Sequence, residues 1–139
     1  MSETIPDVPP QEVWQALKND PKAKLVDVRT TAEWNFVGVP DLKALGKTPV
    51  KIEWQVYPSM SVNSDFLHKL KLEEVEPGDK VYFLCRSGAR SLAAAKLAAE
   101  NGFAEVFNIA DGFEGPKDDA GHRGTVAGWK QSGLPWSQG

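Results

Sequence analysis

The sequence has little cysteine, no long hydrophobic stretch and no excess of positive charge. Its only cysteine is Cys85, so no disulfide can form within the chain, as is usual in a reducing compartment. No apolar run approaches the ~20 residues that a membrane-spanning helix needs. The first residues lack the basic and apolar regions of a signal peptide. We therefore expect a soluble, cytoplasmic protein.

The charge balance argues against one large class of partners. The chain has 16 Lys and Arg and 19 Asp and Glu, which give a formal net charge of −3 at pH 7. Nucleic-acid binding usually requires a basic surface, so we expect neither a nucleic acid nor a membrane as partner. A chain of 139 residues can bury a core without a disulfide or a structural metal. We predict a single domain over 1–139, with its core at about 9–135.

Short apolar segments alternate with helical patterns along the chain. Segments predicted as strands are 23–29, 49–54, 80–84 and 105–109. Segments with helical patterns are 10–17, 30–34, 63–70 and 91–100. A glycine-rich loop is predicted from 112 to 128, followed by a short helical end at 129–136. This alternation indicates an α/β domain with a mostly parallel sheet.

Cys85 follows the most apolar predicted strand and precedes the strongest helical pattern. Parallel sheets form binding sites at the carboxyl ends of their strands, and N–H groups at a helix start favour a thiolate. Gly88 and Ala89 allow a tight backbone curl whose N–H groups can bind an anion. Arg86 and Arg90 add positive charge. The alternative is a buried core cysteine, but the polar residues after Cys85 favour a reactive thiol.

The segment 85–91 resembles the active-site loop of the rhodanese sulfurtransferases, with four residues between Cys85 and Arg90. Segment 25–29, followed by Glu33 and Trp34, resembles the first core strand of that family with its Asp-x-Arg and Glu-aromatic pattern. Residues 111–113 and 128–135 are similar to the family's C-terminal glycine-rich turn, tryptophan and Gly-x-Pro ending. The resemblance spans about 9–135.

This resemblance implies a rhodanese-like α/β fold, with a mostly parallel sheet of about five strands and helices on both faces. It also implies that the cysteine takes a sulfane sulfur from an anionic donor such as thiosulfate and holds it as a persulfide. The sulfur then passes to cyanide or another thiophilic acceptor, with a protein as a further candidate acceptor. No metal or organic cofactor is implied. The implied site consists of Cys85 as nucleophile and the loop residues Arg86, Ser87, Gly88, Ala89, Arg90 and Ser91.

In this implied site, the loop N–H groups cradle the persulfide, while Arg86 and Arg90 attract the donor and stabilise charge. Asp27 and Arg29 end a core strand near the site. We expect them to anchor neighbouring loops by ion pairing, with Glu33 as a candidate partner.

Other residues are expected to be structural. Trp34 and Trp54 are expected to pack in an aromatic core. The segment 115–124 is an insertion relative to the family pattern, and we expect a solvated loop there. Its His122 lacks neighbours at metal-ligand spacing.

Two other functions stay open. Cell-cycle phosphatases share the fold and also use a cysteine and an arginine, but with five residues between them, because phosphate needs a wider loop. The four residues between Cys85 and Arg90 favour sulfur chemistry over that alternative. The second alternative is a domain that carries or binds a persulfide for a protein partner, with little turnover of small donors.

Overall fold

A computed structural model describes residues 5–56, 59, 61–86, 88–123 and 127–137. The strands are β1 (Asp7–Val8), β2 (Lys24–Asp27), β3 (Val39–Pro40), β4 (Val50–Lys51), β5 (Gln55–Val56), β6 (Ser61–Val62), β7 (Lys80–Leu84), β8 (Glu105–Ile109) and β9 (Trp136–Ser137). The helices are α1 (Pro10–Asn19), α2 (Thr31–Phe36), α3 (Phe66–Leu72) and α4 (Ala89–Glu100), with a short 3-10 helix at Lys43–Leu45.

Within these residues, five strands form the main sheet in the order β1-β8-β7-β2-β4. Each neighbouring pair is parallel, which confirms the predicted parallel sheet. The central strand β7 is buried on both faces, as an apolar run in a parallel sheet usually is. The carboxyl ends of β2, β7 and β8 therefore lie along one edge, and Cys85 follows directly after the middle one.

The core has two layers, one on each face of the sheet. On one face, Val26 and Phe83 lie in a cluster with residues of α3 and α4, including Phe66 and Ala94. On the other face, Tyr82 and other strand residues lie in a cluster with α1 and the C-terminal segment. The prediction of helices on both faces is therefore confirmed. No helix of the described part of the chain is long and apolar enough to cross a membrane.

The start of α2 is specified by its sequence. The Glu33 N–H donates to Thr30 Oγ1 at 3.3 Å, and the Thr30 N–H donates to Glu33 Oε1 at 3.2 Å. This capping box satisfies two N–H groups that a helix start otherwise leaves without partners. It also holds the Glu33 side chain at the edge of the sheet where Cys85 lies.

The C-terminal prediction was wrong, because 129–136 is not a helix. The segment forms turns and then β9, which pairs antiparallel with β3. Gly133 has a φ of 76°, outside the helical region, and Pro135 follows it. The Trp129 Nε1–H donates to the Pro135 carbonyl at 2.8 Å, so the segment folds back over its own buried tryptophan.

Two middle elements differ in their bounds from the prediction. The predicted strand at 49–54 is reduced to β4, after which the chain forms an antiparallel β5–β6 pair. The helix expected from residue 63 begins at Phe66, because the Asn63 side chain accepts from the Asp65 N–H in a turn. Trp54 packs edge-on against Phe66 in the core, with 5.1 Å between the ring centres, as expected.

Candidate active site

The sulfur of Cys85 lies between the end of β7 and the first turn of α4. The side chain is buried, with 1% of the residue exposed. The Gly88 N–H donates to Sγ at 3.1 Å, and the Ser91 hydroxyl lies 3.3 Å from the same atom. The predicted nucleophile therefore has hydrogen-bond donors from the start of a helix, which stabilise negative charge on sulfur. Ser87, also predicted in this loop, lies outside the described residues.

The carbonyl groups at the start of this loop are held by the glycine-rich turn that begins at Asp111. The Phe113 N–H donates to the Cys85 carbonyl at 2.8 Å, while the N–H groups of Glu114 and Gly115 donate to the Arg86 carbonyl at 3.0 and 3.1 Å. These bonds give the carbonyls of Cys85 and Arg86 partners in a neighbouring segment and hold the start of the loop against it.

Gly112 makes this close approach of two backbones sterically feasible. Its φ is 64°, and a Cβ built there would lie 2.4 Å from the Cys85 carbonyl oxygen. A larger residue would therefore require the loop or the turn to shift. The Asp-Gly-Phe pattern at 111–113 thus has a physical role beside the cysteine loop.

Arg90 is committed to an ion pair with Glu33. Its Nη1 and Nη2 donate to Oε1 and Oε2 at 2.7 and 2.9 Å, so the pair is bidentate. Glu33, the candidate partner for the Asp27 and Arg29 site, pairs instead with Arg90, because the capping box and α4 bring these two side chains together. The pair joins α2 to α4, which are far apart in the sequence.

The two charges of this pair shift each other's pKa. Partial burial raises the pKa of Glu33, but the hydrogen bonds and charge of Arg90 and the bonds from Thr30 outweigh it. The net pKa of Glu33 is therefore below its ordinary value. The hydrogen bonds to Glu33 raise the pKa of Arg90 against the effect of desolvation. Both groups are therefore charged at neutral pH.

Asp27 and Arg29 form a second ion pair, which is completely buried. Asp27 Oδ2 accepts from Arg29 Nη2 at 2.6 Å, and Oδ1 accepts from Nε at 2.9 Å. The same Nη2 donates to the Gly38 carbonyl at 2.7 Å, and the guanidinium lies 4.3 Å from the centre of the Phe113 ring. The pair therefore contacts the loop after α2 and the turn beside the cysteine loop.

The sequence analysis did not predict a row of hydrogen-bonded polar side chains behind the thiol. The Ser91 hydroxyl also lies 3.2 Å from the Gly88 carbonyl and 2.5 Å from Asn108 Oδ1. Asn108 Nδ2 donates to Asp7 Oδ1 at 2.9 Å, which extends this row to the edge strand β1. Because the hydroxyl has one proton and three acceptors, it can share that proton with Cys85 Sγ, the Gly88 carbonyl or Asn108. The available signal was a lone asparagine inside the apolar strand β8.

An open cavity of about 440 Å³ adjoins the loop that follows Cys85. Among the described residues, three arginines and two glutamates contribute to its wall: Arg86, Arg90, Arg123, Glu33 and Glu114. The predicted residues Arg86, Arg90 and Glu33 are thus brought together, while Ala89 is exposed at the start of α4. No group of three His, Cys, Asp or Glu side chains in the described ranges is placed to hold a metal ion.

Arg123 was not predicted as a site residue. It belongs to the insertion at 115–124, where a solvated loop was expected, yet its side chain is half-buried and lines this cavity. Its Nη1 donates to the Gly115 carbonyl at 2.8 Å. In the same insertion, Lys117, Asp119 and His122 are exposed, and Gly124 lies outside the described residues. The expectation therefore differs from the structure at Arg123.

Known proteins are similar to this chain in both sequence and fold. Residues 8–139 match the family model described as the STR4 middle domain. The crystal structure of Rv0390 from M. tuberculosis is 46% identical, covers 99% of this chain and 100% of that one, and has a TM-score of 0.87. Rhodanese-like domain-containing protein 4, chloroplastic, of Arabidopsis thaliana is 35% identical over 127 residues, which are 91% of this chain and 24% of the plant protein.

A sulfurtransferase is also among the relatives. Thiosulfate sulfurtransferase GlpE of Actinobacillus pleuropneumoniae serotype 5b is 24% identical over 135 residues, which are 97% of this chain and 95% of that protein. The family match, these relatives and the parallel sheet with its cysteine loop agree with one another. The chain therefore belongs to the rhodanese-like family and is a sulfurtransferase-type domain.

Proposed function

We propose that the chain is a thiosulfate sulfurtransferase of the rhodanese type. It moves a sulfane sulfur from thiosulfate or a similar anionic donor to cyanide or another thiophilic acceptor, through a persulfide on Cys85. The observation that carries the proposal is the pair of donors on Sγ, from Gly88 and Ser91, at the start of α4. The printed name of the GlpE relative, a thiosulfate sulfurtransferase, supports thiosulfate as the donor.

The chemistry balances without an added oxidant or reductant. The Cys85 thiolate attacks the outer sulfur of thiosulfate, a new S–S bond forms, and the old S–S bond breaks with its electron pair leaving on sulfite. The product is a persulfide anion on Cys85. Cyanide then attacks the terminal sulfur, which leaves as thiocyanate and restores the thiolate. The loop donors stabilise the anion at the start and end of this cycle.

The acceptor of the sulfur is expected to be an external molecule. Cys85 is the only cysteine, so a second thiol of the same chain cannot accept the sulfur from the persulfide. The proposed acceptor is therefore a small thiophile or a thiol of a protein partner. A reducing setting such as the cytoplasm belongs to the proposal, because an oxidised Cys85 cannot attack a donor.

Steady-state turnover tests the proposal. The protein is incubated with thiosulfate and cyanide, and thiocyanate is measured over time. We expect turnover that the Cys85→Ser variant lacks, while Thr48→Ala, which removes an exposed hydroxyl just before β4, retains it. Absence of thiocyanate would overturn the small-donor activity.

The same preparation separates the alternatives. Hydrolysis of an aryl phosphate that is lost in Cys85→Ser would favour a phosphatase. A Cys85 persulfide that passes only to a protein thiol, with no thiocyanate, would favour a carrier domain.

A further inference from the structure

The three arginines of the cavity differ in what they bind. Arg90 gives both terminal nitrogens to Glu33, so its charge is already matched. Within the part of the chain that the structure describes, neither Arg86 nor Arg123 makes an ion pair. Each guanidinium has five N–H donors, and Arg123 uses one nitrogen on the Gly115 carbonyl. Two cationic groups at the cavity therefore retain donors for an anion.

Gly115 links the Arg123 side chain to the backbone of Arg86. Its N–H donates to the Arg86 carbonyl at 3.1 Å, while its own carbonyl accepts from the Arg123 guanidinium at 2.8 Å. Its φ is 73°, and a Cβ built there would lie 2.2 Å from the Ala127 carbonyl oxygen. The Arg123 side chain is thus bonded to Gly115, which in turn is bonded to the Arg86 carbonyl of the cysteine loop.

The charges of the cavity leave a local positive excess. The charge of Glu33 is neutralised by Arg90. The other carboxylate of the cavity wall, Glu114, is attracted to the nearby Lys130. Burial lowers the pKa of Lys130, and the charge of Glu114 partly opposes that effect. The cavity has three arginines against two glutamates, whereas the whole chain has a formal charge of −3. The wall of this cavity therefore has a net positive charge, which attracts an anion.

We propose that Arg123, together with Arg86, binds the sulfonate end of a dianionic sulfur donor. Arg90 instead positions the loop through Glu33. This inference rests on the proposed function for the identity of the donor. Planar guanidinium groups match oxyanions with paired hydrogen bonds. The sulfonate end of the donor becomes the leaving sulfite, so the two arginines that bind this end also stabilise the departing anion.

Kinetics of three variants test this assignment. Arg123→Gln removes the charge, Arg123→Lys keeps it, and Lys117→Gln removes one charge from the same insertion at an exposed position away from the cavity. We expect the KM for thiosulfate to rise about tenfold in Arg123→Gln, with kcat within about twofold. Arg123→Lys should recover part of this loss, and Lys117→Gln should match the unchanged chain.

A second donor tests whether charge is what Arg123 recognises. Methanethiosulfonate delivers the same kind of sulfur but has one negative charge fewer than thiosulfate. Its KM should rise less than that of thiosulfate in Arg123→Gln. Equal changes for both donors, or equal KM values for Arg123→Gln and Lys117→Gln, would overturn the assignment while leaving the proposed function intact.

A binding measurement separates failure of this inference from failure of the proposed function. Thiosulfate is titrated into the Cys85→Ser variant, which cannot turn over, and chemical shifts are followed by NMR. Adding Arg123→Gln should weaken binding by about the same tenfold factor. Binding that is absent, or unaffected by Arg123→Gln, would overturn the inference even if the active chain produces thiocyanate. Arg123-dependent binding would support it even if turnover is absent.

Discussion

Two ion pairs beside the cysteine loop have the same chemistry but different surroundings. Asp27–Arg29 is fully buried and joins residues two apart, whereas Glu33–Arg90 is about one-fifth exposed and joins residues 57 apart. The first pair contacts the Gly38 carbonyl and the Phe113 ring. The second lies in the wall of the cavity. The buried pair therefore supports the fold around the site, and the partly exposed pair holds the site's own loop in place.

Removal of one partner from the buried pair should have the largest effect on stability. We expect Asp27→Ala to lower the free energy of unfolding by about 3–5 kcal/mol, because it leaves the Arg29 charge buried without a counter-ion. Urea unfolding measures this change. Replacement of both residues by apolar side chains of similar volume should cost less than the single variant. A single variant as stable as the unchanged chain would contradict the anchoring role.

Removal of one partner from the partly exposed pair should lower the stability less. We expect Glu33→Gln to lower the free energy of unfolding by about 1–2 kcal/mol, since water can still reach the remaining guanidinium. Glu100→Gln serves as the control, because Glu100 is exposed at the end of α4. The variant should also reduce kcat more than it changes the thiosulfate KM, because Arg90 then loses its fixed position. A loss as large as that of Asp27→Ala would remove the distinction between the two pairs.

The pH dependence of stability should sharpen the comparison further, with the smallest effect. Because the pKa of Glu33 is lowered in the folded state, its contribution to the free energy of unfolding is fully present above the unfolded pKa of about 4.3. It is lost as the pH falls through the lowered folded value. The stability difference between the unchanged chain and Glu33→Gln should therefore be constant above about pH 5.5 and decrease below pH 4.3. A difference that does not change with acid would contradict the assignment of the lowered pKa.

The elements that the sequence predicted well are those with strong local signals. Strands β7 and β8 have the predicted bounds, because each is a short, mostly apolar segment bounded by turn residues. The capping box at Thr30 and the position of Cys85 between β7 and α4 were also visible in the sequence. These features depend on neighbouring residues, which a single sequence displays directly.

The features that were missed depend on distant contacts. Strands β1 and β9 have two residues each and exist through pairing with β8 and β3. The Glu33–Arg90 pair needs α2 and α4 to meet at the same edge of the sheet. Arg123 lies at the cavity, where its side chain bonds Gly115, which in turn bonds the Arg86 carbonyl. Neither spacing nor composition predicts such contacts, since the fold brings these residues together.

The most direct test of the central claim is the mass of the protein after exposure to thiosulfate alone. With no acceptor present, we predict that intact-mass and peptide spectra detect one added sulfur atom, located on Cys85. Cyanide should remove it and release thiocyanate. Arg123→Gln should reach the same final mass at a higher thiosulfate concentration. A chain whose Cys85 gains no sulfur at any thiosulfate concentration, while the sheet and loop remain folded, would contradict the account.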